Sequence, residues 1–357
     1  MASLSIFAGP TALNRIRDEG LNADQFKVLL AASGGPKWFV LYGLDRYLFG
    51  KFFAGRETEL ITLGSSAGAW RISCLGTSEP VAAIERLARL YSREDYSSQP
   101  TTAEITDKAR AMLSAVLGAD GAEQIINNAF IKTHIITDRC KGFGSSPAKP
   151  AQILFLILSA VANLLSRRNL SVFFERTVFS NMGQLSPWAS LHDLDTSSVS
   201  LSQSNIYDAM IASGSIPFVL DGVRDIDGAK PGLYWDGGIT DYHFDLPFHQ
   251  GEGLVLYPHF SVSVIPGWFD KHLPWRKVDA KNFHNVVMLV PSKEFVASLP
   301  YGKIPDRSDF KKLDYPSRID YWQQVLDSSQ LLADEFSALV DSGHGIECIQ
   351  PFEQRRS

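Results

Sequence analysis

Cysteine, basic charge and long hydrophobic runs are what this chain has least of. Its 357 residues include three cysteines, Cys74, Cys140 and Cys348, too few and too scattered for a disulfide framework or a zinc site. A reducing compartment is therefore expected. Lys and Arg number 34 against 39 Asp and Glu, a net charge of −5. With no basic excess and no Lys/Arg-rich run, nothing supports tracking of a phosphate backbone, and no nucleic-acid partner is expected. The N-terminal apolar stretch in MASLSIFAGPTALNRIRDEG is too short for a signal-peptide core and is interrupted by Pro10 and Arg15. The longest apolar run, Ala151 to Leu165, would span about 23 Å as a helix, short of the ~30 Å hydrocarbon core. No transmembrane helix is predicted, and the expected location is the cytoplasm. A hydrophobic share of 45% excludes a disordered chain. The length allows one large domain or about two ordinary ones.

From residue 27 the chain alternates strand-like and helix-like segments, the pattern of an α/β fold with a mainly parallel sheet. Lys27–Ser33, Glu59–Leu63 and Thr133–Thr137 read as buried strands; Leu233–Trp235, Gly253–Tyr257 and Asn285–Val290 read as later ones. Helices are predicted from Pro36 through LYGLDRYLF, after GSSAG to Leu75, over Glu79–Tyr91, Ala103–Leu117 and Ile206–Ser213, and as one long helix over Arg318–Val340. Lys141–Gln203 looks different: a loop-like KGFGSSPAKP, an apolar helix, then a serine-rich polar stretch. It reads as an insertion over the core. There are no internal repeats.

Three strand-to-helix junctions carry candidate chemistry. Gly64-Ser65-Ser66-Ala67-Gly68 has the G-x-S-x-G spacing. A sharp turn there would lift Ser66 Oγ out of the sheet, with glycines two residues either side permitting the backbone to crowd. The helix that follows would point amide dipoles at a developing oxyanion. The other reading is a small-residue turn that packs a helix on a strand. Ser33-Gly34-Gly35-Pro36-Lys37 offers glycine amides for an oxyanion or anion site, or is an ordinary βα turn; it lacks P-loop spacing. Trp235-Asp236-Gly237-Gly238 puts an aspartate at a strand end, where open α/β sheets build sites, or forms an Asp-Gly turn. Together they suggest a serine hydrolase. What would activate the serine stays open: Asp236 itself, if desolvated enough to act as a base, or a histidine after the acid, with His243 and His259 following Asp236.

These segments, taken in order, resemble the patatin-like phospholipase family. ASGGPKW resembles its glycine-rich oxyanion loop with the following basic residue, GSSAGA its nucleophile elbow, Ala212–Phe218 (ASGSIPF) the segment that precedes the acid, and WDGG the block carrying the catalytic aspartate. The likeness covers roughly residues 27–245, interrupted over 141–203. Ser33 and Trp38 stand where the family usually has glycine, and Pro36 supplies no amide. The resemblance implies a three-layer α/β/α fold with a mainly parallel sheet, a helical insertion and a C-terminal extension. It implies a lipid acyl hydrolase with a Ser-Asp dyad, without metal or cofactor. Ser66 would be the nucleophile and Asp236 the base, with the amides of Gly34, Gly35 and Ala67 holding the oxyanion.

The expected organisation is an N-terminal segment 1–26, a catalytic domain 27–250 containing the divergent insertion or lid 141–203, and an extension 251–357 packed on the same domain. The substrate would be a lipid or other acyl ester. Ala151–Leu165 is expected to shape substrate access, by lining an acyl pocket or touching a membrane surface transiently; its other reading is a buried core helix. Two further functions remain open: a Ser-His-Asp esterase, and a lipid-binding protein that has kept the motifs but lost turnover. A nucleotide-binding module, resting on the glycine loop alone, comes last.

Overall fold

The computed structural model describes residues 2–248, 251 and 253–353; the domain boundary expected at residue 250 falls outside the described residues. Among the described residues eleven strands form one sheet: β1 (Leu4–Ala8), β2 (Phe26–Ala31), β3 (Leu60–Ser65), β4 (Ile131–Cys140), β5 (Phe174–Ser180), β6 (Thr196–Ser200), β7 (Val223–Arg224), β8 (Leu233–Asp236), β9 (Leu254–Pro258), β10 (Val286–Pro291) and β11 (Gln350–Pro351). Their order is β11-β1-β10-β9-β2-β3-β4-β5-β6, with β8 on β4 and β7 on β8. The run from β10 to β4 is parallel throughout. Its apolar residues, among them Leu30, Leu63, Ile135 and Leu256, are fully buried, as a parallel sheet covered on both faces requires.

Helices flank the sheet and make the fold a three-layer α/β/α arrangement. They are α1 (Pro10–Glu19), α2 (Tyr42–Tyr47), α3 (Ala67–Leu75), α4 (Pro80–Ser92), α5 (Thr102–Leu117), α6 (Gly121–Asn127), α7 (Lys149–Leu165), α8 (Ile206–Gly214), α9 (Lys293–Ser298), α10 (Asp309–Lys312), α11 (Tyr315–Ser328) and α12 (Gln330–Ser342). Two predicted helices differ in detail. The one expected from Pro36 begins as a 3-10 turn over Gly35–Leu41 and continues as α2. The one expected over Arg318–Val340 is broken at Ser329 into α11 and α12. α2 crosses at the break: Gly43 N donates to Ser329 Oγ (2.8 Å), and a Cβ on Gly43 would come within 2.4 Å of Ser329 O.

The stretch 141–203 contributes β5, antiparallel to β4, and β6 beside it. Residues beyond 251 contribute β9 and β10, which stand between β2 and β1. No helix among the described residues is long and apolar enough to cross a membrane.

Candidate active site

The turn at Ser66 is as sharp as the G-x-S-x-G spacing predicts. β3 ends at Ser65 and α3 starts at Ala67, leaving Ser66 at φ 55°, ψ −130°. A non-glycine residue at positive φ costs energy and persists only where its surroundings over-determine it. Here they do. A Cβ on Gly68 would sit 1.9 Å from Ala31 O, and one on Gly64 2.6 Å from Ala69 Cα, so α3 reaches β2 and β3 only because both positions lack side chains. Ser66 N donates to Ser213 Oγ (2.9 Å), which donates to Ile136 O (2.7 Å). α3 is tied down by a buried two-pronged pair in which Arg71 Nε and Nη2 donate to Asp45 Oδ2 (2.8 Å) and Oδ1 (2.7 Å).

β4 brings the aspartate to the serine. β3 runs parallel to β4 and its last residue, Ser65, lies opposite Ile136. β8 runs antiparallel to β4 and its last residue, Asp236, lies opposite Thr137. The two strands therefore meet end to end along β4, one residue apart. Ser66 Oγ donates to Asp236 Oδ2 (2.8 Å), and Asp236 Oδ1 accepts from Gly238 N (2.7 Å). Both side chains are buried. Burial pushes the Asp236 carboxyl above its ordinary range, against the nearby Arg307 charge and the hydrogen bonds from Ser66 and Gly238, which pull it down. Gly237 turns the chain where a Cβ would strike Ile136 O at 2.2 Å. The loop beyond is anchored by Thr240 N donating to Asp138 Oδ2 (2.9 Å) and by Arg176, which bridges Asp241 and Asp193.

The glycine loop closes the third side. Gly35 adopts φ 55° and opens the 3-10 turn, as Ala67 opens α3; the first amides of such helices have no partner within the helix. Gly34, Gly35, Ala67 and Ser66 all line cavities that meet at Ser66. The two departures from the glycine pattern are accommodated: Ser33 Oγ donates to Ser65 Oγ (3.0 Å), and Trp38 packs edge-on against Phe39 and Tyr91.

Two cavities share Ser66. One, about 230 Å³, carries the charged side chains of Lys37, Asp236, Lys271, Asp306 and Arg307 on a wall otherwise made largely of Ile216, Pro217, Ile239, Tyr242 and Trp268. The other, about 840 Å³, is bordered by Trp70, Tyr91, Ile105, Met112, Leu220 and Phe310. At the smaller cavity Lys271 Nζ lies 3.9 Å from the centre of the Tyr242 ring, and Lys37 Nζ 5.3 Å from that of Phe260. Desolvation, with Arg307 nearby, draws both lysines below their ordinary range.

The structure does not bring the candidate histidines to the serine. His243 Nδ1 accepts from Ile265 N (3.0 Å) and His259 Nδ1 from Ser261 N (3.0 Å); the two rings pack edge-on, 4.4 Å apart. Neither is hydrogen-bonded to Ser66 or Asp236, and burial draws His243 well below its ordinary range and His259 down to about 3. Among the described residues no group of three or more His, Cys, Asp or Glu is arranged to hold a metal ion. Reading the sequence missed Ser213, although ASGSIPF contains it; its role depends on a contact with a residue 147 positions away. Lys271 and Arg307 lie outside every motif, and nothing local marks them.

No protein-family model matches the chain, and comparison with curated proteins gives no match. Among solved structures the chain is similar to the crystal structure of VipD from Legionella pneumophila, at 14% identity and a TM-score of 0.39, over 99% of this chain and 75% of that one. At that score the likeness carries no argument about activity, which has to rest on the geometry at Ser66.

Proposed function

We propose that this chain is a hydrolase of lipid carboxylic esters that works through a Ser66–Asp236 dyad and an acyl-enzyme. One observation carries the reading: a serine held at a strained elbow donates a hydrogen bond directly to a buried aspartate, Oγ to Oδ2 at 2.8 Å. Burial, by raising the carboxyl's proton affinity, suits it to act as a base.

Asp236 takes the Ser66 proton as Oγ attacks the ester carbonyl carbon. The tetrahedral oxyanion that forms is held by the amides of Gly34, Gly35 and Ala67. On collapse the carbon–oxygen bond to the alcohol breaks, and the proton on Asp236 passes to the departing alcohol. The acyl group is then on Ser66. Asp236 next takes a proton from water, whose oxygen attacks the acyl carbon; the acid leaves and the proton returns to Ser66 Oγ. The 840 Å³ cavity beside Ser66, with Trp70, Met112 and Leu220 on its wall, suits an acyl chain. The smaller cavity, with the cationic side chains of Lys37, Lys271 and Arg307 on its wall, suits the alcohol half.

Fluorophosphonate labelling of the purified protein, with p-nitrophenyl ester turnover in parallel, tests this reading. Wild type is expected to label and turn over; Ser66→Ala abolishes both. A folded wild type that neither labels nor hydrolyses any ester overturns the reading in favour of a lipid-binding protein.

A further inference from the structure

α7 presents its apolar side to the outside. Phe155, Ser159 and Asn163, at four-residue spacing, form the stripe that faces the protein and is buried. Ser159 Oγ donates to Phe155 O (2.7 Å) and Asn163 Nδ2 to Asp270 Oδ1 (2.7 Å). The outer side carries Ile153, Leu154, Ile157, Val161, Leu164 and Leu165, each between 49% and 79% exposed. Surface helices ordinarily turn their polar residues outward, and a contiguous exposed apolar patch marks a contact surface.

Charge says what covers it. From Lys141 to Phe174 there is no Asp or Glu, against Lys141, Lys149, Arg167 and Arg168, in a chain whose net charge is −5. Lys141 and Arg167 are paired with Asp195 and Asp241; Lys149 and Arg168 have no ion pair among the described residues. A second copy docked by a two-fold axis would set this face against itself and bring like charges together. An anionic lipid surface receives both the apolar side chains and the cations. At 17 residues, about 26 Å, the helix suits lying in such a surface better than crossing it.

The face is continuous with the site. α7 packs on the 3-10 turn Trp268–His272, whose Trp268 and Lys271 line the smaller cavity at Ser66. The chain then runs to Trp275, 58% exposed, an aromatic suited to a lipid–water boundary. Arg276 Nη2 ties this segment back to α7 by donating to Asn163 O (2.7 Å).

We infer that the outer face of α7, flanked by Lys149, Arg168 and Trp275, docks on an anionic lipid surface and sets the Ser66 cavities beside it. The purpose of docking rests on the hydrolase reading; the docking itself does not. It is therefore measured with full-length Ser66→Ala protein, by flotation with vesicles of phosphatidylcholine alone and of phosphatidylcholine with about a third phosphatidylglycerol. Binding to the anionic vesicles is expected, weakening with salt, and falling about tenfold or more in Lys149→Glu/Arg168→Glu and in Leu154→Glu/Ile157→Glu. Unchanged melting temperatures establish that the variants are folded. Equal binding to both vesicle types, no binding, or variants that float like the parent overturns the inference. So does a dimer in light scattering that the α7 substitutions dissociate, which would make this face a contact between copies. Failure of ester turnover in the wild type would strike the hydrolase reading and leave the flotation result standing.

Discussion

Asp236→Asn separates chemistry from folding at this site. The substitution keeps the shape of the side chain and an oxygen to accept from Gly238 N, which Asp236 Oδ1 does at 2.7 Å. What it removes is the atom that takes the proton from Ser66 Oγ, Oδ2 at 2.8 Å. A positioned general base contributes about 10²- to 10⁴-fold in rate, or about 3–5 kcal/mol of transition-state stabilisation, and ester turnover is expected to fall within that range. Stability moves the other way. Because burial raises the carboxyl's pKa in the folded protein, the folded state favours the protonated form. The stability Asp236 contributes is then fully present below the unfolded pKa, about 3.9, and is lost as pH rises through the folded value. Above the unfolded pKa, holding this side chain in its buried site opposes folding, so Asp236→Asn is expected to melt at or above wild type at pH 7. The gap should close below about pH 4, where both side chains are neutral. The assays are p-nitrophenyl ester kinetics, fluorophosphonate labelling and thermal melts at the two pH values. A variant that retains turnover within tenfold of wild type refutes the dyad. One that melts far below wild type at neutral pH refutes the electrostatic reasoning.

Wild-type activity should fall as pH drops through the raised Asp236 pKa, at a higher pH than for an exposed carboxylate; a rate independent of pH from about 8 down to about 4, the ordinary carboxyl pKa, would contradict this. Replacing His243 or His259 with asparagine should leave labelling of Ser66 intact in folded protein, since neither ring bonds the dyad; loss of labelling in folded protein would revive the histidine-dependent scheme. Ser213→Ala removes the acceptor of Ser66 N and the donor to Ile136 O. About 1–3 kcal/mol of stability should be lost, and fluorophosphonate labelling should slow while ester KM changes little, with Ser213→Thr restoring part of the rate; a KM effect alone would show that it does not position the elbow. Gly68→Ala would press a methyl to 1.9 Å of Ala31 O and should prevent soluble expression; a folded, active variant would show that the β2–α3 approach is looser than described.

Motifs were legible where the backbone itself makes the demand. Gly64, Gly68 and Gly237 each stand where a Cβ would meet another chain segment, so their spacing announced the elbow and the aspartate turn directly. β2, β3 and β4 were legible because burial on both faces leaves an apolar run. β5 was not. Its FERTVFS is buried along its whole length, but it buries Glu175 and Arg176 as ion pairs with Arg139, Lys230, Asp193 and Asp241, so its polarity imitates a loop. β6, half exposed at the edge, carries no alternation to read. The break at Ser329 has neither proline nor glycine beside it; the glycine that permits it, Gly43, is on α2. For α7 the apolar composition was plain and its orientation was not. Ser159 donates its hydroxyl to its own helix and Asn163 its amide nitrogen to Asp270, leaving only Asn163 Oδ1 of these polar atoms without a partner among the described residues, which lets Ser159 and Asn163 face inward.

The dyad depends on a relation that no local pattern contains. Ser66 and Asp236 are 170 residues apart, and each sits at the end of a strand that pairs with β4 in the opposite sense to the other. In open parallel sheets a site gathers at the carboxyl ends of neighbouring strands. Here β8 comes from the other direction and stops against the end of β3, so two carboxyl ends face each other across the Ile136–Thr137 peptide. That peptide is held by both partners: Ile136 O accepts from Ser213 Oγ and lies where only Gly237 can pass. A one-residue slip of β8 on β4 would turn the Asp236 side chain to the other face of the sheet. The register of four residues, Leu233–Asp236, on one long strand therefore sets the hydrogen bond on which the proposed chemistry depends.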